Sequence, residues 1–113
     1  MIRVYGIKNC DTMKKAFAWL DQQGVSYEFV DYKKPGVVEQ HIDQWCQQAG
    51  WEKLLNTRGL MWRKIDTREK EPLNEATARR LMVQYPSTIK RPVVDTGKGL
   101  LVGFVESEFE TLK

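Results

Sequence analysis

One histidine and two cysteines in 113 residues are few, and each scarcity excludes something. A structural zinc site draws four ligands from closely spaced cysteine and histidine. His41 has no partner at such spacing, so no metal site is expected. A small secreted domain stapled by disulfides would carry far more cysteine, and Cys10 and Cys46 are therefore expected as reduced thiols. No stretch approaches the ~18 consecutive apolar residues of a membrane span, and the chain opens without a basic leader and apolar core. No membrane association is expected, and the cytoplasm is the expected compartment. Nor does one sign of charge dominate. Eighteen basic residues against 15 acidic leave a net +3, too even a mixture for a nucleic-acid footprint, and direct nucleic-acid binding is not expected. What remains is ordinary globular material, 42% hydrophobic and 29% charged, at a length that supports one domain over residues 1–113.

The chemistry concentrates in Tyr5-Gly6-Ile7-Lys8-Asn9-Cys10-Asp11-Thr12-Met13-Lys14-Lys15. An apolar strand from Ile2 to Tyr5 precedes it, and Met13, Ala16, Phe17 and Leu20 repeat at i, i+3, i+4, i+7, the spacing of a helix face. Cys10 thus falls at a strand-to-helix turn. The first N–H groups of a helix have no internal partners and carry a partial positive charge, so a sulfur there is favoured as thiolate. Lys8, Lys14 and Lys15 add positive potential. The thiolate is the form that attacks disulfides and electrophilic oxyanion centres. Lys8 and Asn9, on the cysteine's own loop, are candidates for substrate contact.

Gly24 ends that helix, and Tyr27 to Tyr32 reads as a second strand. A strand, crossover helix and strand of this length predict two parallel neighbours in one sheet. Lys33-Lys34-Pro35-Gly36 breaks the chain. Val38, Ile42, Trp45, Cys46 and Ala49 then share one helix face up to Gly50, which places Cys46 among core residues. It reads either as a small buried hydrophobe or as a resolving thiol. A short helical turn from Trp51 leads into the polar turn Asn56-Thr57-Arg58-Gly59. Asp66 to Glu71 reads as a solvated loop. Asn74 caps a further helix that Pro86 stops. Two β-rich runs, Ile89 to Val94 and Leu100 to Val105, flank Asp95-Thr96-Gly97-Lys98-Gly99 and predict an antiparallel hairpin. A last helix is expected to follow, with Ser107 and Glu110 at capping-box spacing and Phe109 and Leu112 turned inward. Pro92 lacks a ladder N–H, so it belongs on an edge, at a strand start or in a cis peptide.

The order of elements predicts an α/β fold with a mixed sheet, a βαβ half joined to a ββα half as in thioredoxin-like folds. Three blocks carry a resemblance: Tyr5 to Thr12, Leu54-Leu55-Asn56-Thr57-Arg58-Gly59, and Ile89-Lys90-Arg91-Pro92-Val93-Val94. In this order they resemble the ArsC-like family of glutaredoxin-coupled arsenate reductases, Spx-type regulators and small YffB-type proteins, and the YffB type most closely. The resemblance covers nearly the whole chain. It implies a thioredoxin-like fold with a helical insertion at about 37–86, between the second and third strands. It also implies Cys10 as nucleophile, Arg58 and Arg91 as oxyanion-contacting arginines, and Pro92 as a cis-proline. Two departures bear on function. The arsenate reductases carry a further arginine near the last strand, where this chain reads Leu101-Val102-Gly103-Phe104-Val105, and Spx-type switches carry C-x-x-C, where this chain has Met13. Three expectations follow. The first is a single-cysteine oxidoreductase with no bound cofactor, using glutathione or a glutathione mixed disulfide as co-substrate. The second is an RNA polymerase-binding regulator, and the third an arsenate reductase with an incomplete oxyanion site.

Overall fold

The computed structural model describes residues 1–113. The chain divides into two compact units, one built from residues 1–34 and 91–113, the other from 35–90.

The first unit holds the sheet. Strands β1 (Ile2–Gly6), β2 (Tyr27–Asp31), β3 (Val93–Asp95) and β4 (Leu100–Val102) lie in the order β2-β1-β3-β4. β1 runs parallel to β2, with Ile2 opposite Tyr27 and Gly6 opposite Asp31. It is antiparallel to β3, with Val4 opposite Val94, and β3 is antiparallel to β4. This is the mixed α/β sheet of the thioredoxin-like class, and the helical segment enters between β2 and β3 as expected. Helix α1 (Asp11–Gln22) buries Met13, Ala16, Trp19 and Leu20, and these pack with Val4, Val94 and Phe109 in one cluster. The predicted stripe is therefore the buried one, joined by Trp19, while Phe17 is only partly covered. Gly6 is there because Met13 leaves no room: a Cβ at Gly6 would stand 2.5 Å from the Met13 sulfur.

The second unit is helical. It comprises α2 (Val37–Ala49), α3 (Trp51–Leu54), α4 (Leu60–Lys64), α5 (Thr67–Lys70) and α6 (Glu75–Gln84), followed by a 3₁₀ turn at Pro86–Thr88. Val38, Ile42, Trp45 and Cys46 of α2 are buried, as are Ala78, Leu81 and Met82 of α6. Asn74 caps α6 as expected, its side chain accepting the Thr77 N–H at 3.0 Å. An isolated bridge joins Leu55 to Ile89. The Asn56 N–H donates to the Thr88 carbonyl at 2.7 Å and the Lys90 N–H to the Leu54 carbonyl at 2.8 Å.

Four local expectations are corrected. Of the run Ile89 to Val94, only Val93 and Val94 enter the sheet, which β3 extends to Asp95. Pro92 has no N–H to give the ladder, and Ile89 pairs with Leu55 instead. β4 stops at Val102 and not Val105, because Gly103 turns to a φ of 80° and donates its N–H to the Pro92 carbonyl at 2.8 Å. The segment Asp66 to Glu71 is no plain loop, since the Asp66 carboxylate accepts the Arg68 N–H at 2.8 Å and so starts α5. The last helix, α7 (Glu106–Phe109), begins one residue before the expected cap Ser107. Its first turn closes on the Val105 carbonyl, which accepts from Glu108 and Phe109, while Phe109 is fixed in the core.

Candidate functional site

β1 ends at Gly6, and after the loop Ile7 to Asn9 the chain reaches Cys10 in extended conformation, φ −141° and ψ 133°, as the N-cap of α1. Its carbonyl accepts the Lys14 N–H at 2.9 Å and so closes the first helical turn. The side chain is half-buried. Partial burial by itself raises the thiol's pKa. Donation from the Met13 N–H, the Arg91 side chain and the Thr12 N–H, with the Arg91 charge, overcomes this and holds Cys10 below the usual thiol range. The side chain makes no conventional capping hydrogen bond. The two N–H groups act as weak donors to a soft acceptor, and their pull grows when the sulfur is ionised.

Arg91 reaches the site from the other half of the sheet. It immediately precedes Pro92, to which it is joined by a cis peptide. Tyr5 pairs with Val93, so the register puts Pro92 level with Gly6, where the Cys10 loop departs. The Arg91 Nη1 donates to the Tyr32 hydroxyl at 3.1 Å. Tyr32 has no solvent exposure. Burial raises its phenol pKa, Arg91 opposes this, and Cys10 and Asp31 add to the rise. The phenol is therefore neutral at physiological pH and leaves the guanidinium charge uncancelled.

The structure thus brings Cys10, Arg91 and Pro92 together. It adds Tyr32, which the sequence reading had only as a strand residue. The signal was present: parallel pairing of β1 and β2 sets the end of β2 beside the end of β1, and the Tyr32 N–H donates to the Gly6 carbonyl at 3.1 Å. Lys8 and Asn9 are exposed on the same loop, and the Lys8 ammonium lies 5.8 Å from the centre of the Phe29 ring. The strongest cation acting on the sulfur is Arg91, not one of the lysines. Arg58 belongs to the helical unit. Its N–H donates to the Asn56 side chain at 3.1 Å, and its exposed side chain helps line a cavity of about 540 Å³ with Trp51, Leu55, Leu73 and Lys90. Cys46 is buried on α2, and that burial raises its pKa, with the Arg79 charge opposing. His41 stacks on Trp45 with ring centres 5.7 Å apart. No helix is long and apolar enough to cross a membrane.

The chain is similar to proteins of known family. The model of the ArsC family matches residues 5–112. An uncharacterised protein of Haemophilus influenzae is 39% identical over 110 residues, covering 97% of this chain and 96% of the relative. The global transcriptional regulator Spx of Streptococcus pneumoniae is 26% identical, covering 96% and 82%. Among solved structures, a protein named YFFB superposes with a TM-score of 0.93 at 46% identity, covering 99% of this chain and 98% of that one. An arsenate reductase-related protein from Brucella melitensis superposes with a TM-score of 0.78 at 43% identity, covering 97% and 92%.

Proposed function

The chain belongs to the ArsC family, and from that premise we propose that it is a single-cysteine thiol-disulfide oxidoreductase that uses glutathione. The observation that carries this reading is the pairing of a Cys10 thiol held below its usual pKa with a fully buried methionine three residues on. Thiolate is available for attack, and no second motif thiol is available to resolve the product.

The Cys10 thiolate attacks the glutathione sulfur of a mixed disulfide. The new S–S bond joins Cys10 to glutathione, the old S–S bond breaks, and the released thiolate takes a proton from solvent. A second glutathione, as thiolate, then attacks the glutathione sulfur of the adduct. Oxidised glutathione leaves and Cys10 returns as thiolate. One disulfide is reduced, two glutathione units end oxidised, and no electrons remain unassigned. Arg91 supports the thiolate in both steps as attacking and as leaving group. Arg91 is the proposed anchor for a glutathione carboxylate, a task suited to a planar, permanently charged fork. Lys8, Asn9 and the Pro92 backbone complete the proposed contact set.

Two other readings have specific support. Similarity to Spx along 96% of the chain favours a regulator that docks on RNA polymerase, as the resemblance of the sequence implies. The Brucella relative favours arsenate, but Leu101 to Val105 supplies no arginine there. Loss of one charged donor from an oxyanion site costs roughly 2–4 kcal/mol of transition-state stabilisation, a rate factor of several hundred or more.

Purified protein with glutathione should reduce a small mixed disulfide and leave arsenate nearly untouched, while Cys10→Ser does neither. Disulfide turnover retained by Cys10→Ser would overturn the reading. Stoichiometric association with purified RNA polymerase, without turnover, would favour the regulator.

A further inference from the structure

A phenol hydroxyl and a guanidinium are both costly to bury unless they are paired. In the sheet unit they are paired with each other. Tyr32 is entirely buried and receives the Arg91 Nη1 at 3.1 Å, and Arg91 is the side chain whose charge and donors help hold the Cys10 thiol below its usual range. The tyrosine backbone is tied in too, since its N–H donates to the Gly6 carbonyl at 3.1 Å, at the root of the Cys10 loop. We propose that Tyr32 is a positioning residue, whose hydroxyl fixes the plane of the Arg91 guanidinium so that its remaining donors face Cys10. The inference rests on Cys10 being the nucleophile, as read above, but not on which disulfide it attacks.

The choice of tyrosine has a physical reason. The five N–H groups of arginine lie in one rigid plane. Anchoring one nitrogen on a buried oxygen therefore sets the direction of the others, whereas an unanchored arginine spreads over many rotamers. A carboxylate in place of Tyr32 would anchor equally well, but would cancel the positive charge that the thiolate needs. A neutral phenol anchors without cancelling. Burial keeps it neutral, and ionisation of Cys10 makes loss of its proton still harder. The anchor is therefore most secure in the state in which the sulfur attacks. The charged groups that bear on the pair are Arg91 on the approach to β3, Asp31 at the end of β2 and Cys10 itself, together with the Thr12 and Met13 N–H groups of α1.

The test is the pH profile of Cys10 alkylation by iodoacetamide, read by peptide mass so that Cys46 is scored separately. It is run on the wild type, Tyr32→Phe, Arg91→Ala, the double variant and Arg91→Lys. Tyr32→Phe should move the Cys10 midpoint upward and slow alkylation at neutral pH about 2- to 5-fold, a few tenths of a pKa unit. Arg91→Ala should move it further, and adding Tyr32→Phe to Arg91→Ala should move it no more. Arg91→Lys keeps the charge but lacks the fork, and should also raise the midpoint. It serves as the second arm if Tyr32→Phe does not fold. A Tyr32→Phe profile superimposed on the wild type would overturn the proposal, as would the same shift with Arg91 absent or an unchanged profile for Arg91→Lys. Failure of the wild type to exchange disulfides would overturn the proposed reaction while leaving these profiles, and the role of Tyr32, intact.

Discussion

Cys10 and Cys46 are one chemical group in opposite surroundings, and their titration should have opposite effects on stability. The folded state holds Cys10 below its unfolded pKa, so it is the thiolate that favours folding. That contribution is complete above about pH 9 and is lost as the pH falls through the lowered value. Burial lifts Cys46, so its neutral thiol favours folding below the ordinary thiol range, and that support is lost as the pH rises through the raised value. Cys10→Ala should therefore destabilise more at pH 9.5 than at pH 6, as urea midpoints at the two values will show. A pH-independent difference would mean the sulfur is not preferentially ionised in the fold. The same contrast predicts where glutathione attaches. Oxidised glutathione added to the reduced protein should modify the Cys10 peptide, and the adduct should persist until more thiol is supplied. Modification chiefly at Cys46, or a Cys10–Cys46 disulfide as the main product, would contradict the single-cysteine mechanism. Cys10 was legible in the sequence because a helix start is a local signal, whereas Arg91 entered only through the resemblance to the family. Tyr32 read only as a strand residue, because the parallel pairing sets the ends of β1 and β2 side by side but does not say that the Tyr32 hydroxyl meets a side chain 59 residues away.

Elements were legible where one periodicity ran long enough to average out exceptions, and illegible where a single side chain decided a short turn. The apolar stripes of α1 and α2 announce those helices, while α5 exists because Asp66 caps it, a signal hidden within a charged run. β3 and β4 were read too long because the pattern continued past the residues that end the ladder, Pro92 and Gly103. Asn74, by contrast, was a correct cap, and it can be weighed. Removing the side chain that accepts the Thr77 N–H at 3.0 Å leaves a helix-end donor without its cap. Asn74→Ala should cost about 1 kcal/mol and Asn74→Asp much less, by urea denaturation. Equal losses for the two would show that the cap bond is not what Asn74 contributes. Gly6 gives the corresponding case at the end of β1. An added methyl group would collide with the Met13 sulfur at 2.5 Å, and Met13 is fully buried. Gly6→Ala should cost about 1–3 kcal/mol through overpacking, and Gly6→Ala combined with Met13→Val should cost less than the separate losses added together, because Val returns some of the space. Strict additivity would place the strain elsewhere.

For the molecule as a whole, the sheet unit is assembled from the two ends of the chain, residues 1–34 and 91–113, and the residues between them in sequence form the helical unit. β1 is a central strand, and its partner β3 lies about ninety residues away in sequence, with Val4 opposite Val94. Closing so long a loop carries an entropy cost that grows only slowly with length, so what completes the unit is the apolar surface brought by its last residues. Phe109 is the largest single piece. It is fully buried, it meets Trp19 edge to face at 5.5 Å between ring centres and Phe104 at 4.8 Å, and it shares its cluster with Val4 and Val94. Truncating a buried phenylalanine costs about 3–5 kcal/mol, against about 5–15 kcal/mol for an entire domain. Phe109→Ala should thus remove a large share of the stability, lower the urea midpoint accordingly, and expose the amides of β1 and β3 to hydrogen exchange at the rate set by global unfolding. Phe109→Leu should recover much of the loss by refilling the space. A Phe109→Ala midpoint within about 0.5 kcal/mol of the wild type, the range of ordinary surface changes, would show that the C-terminal residues lie over the core without completing it.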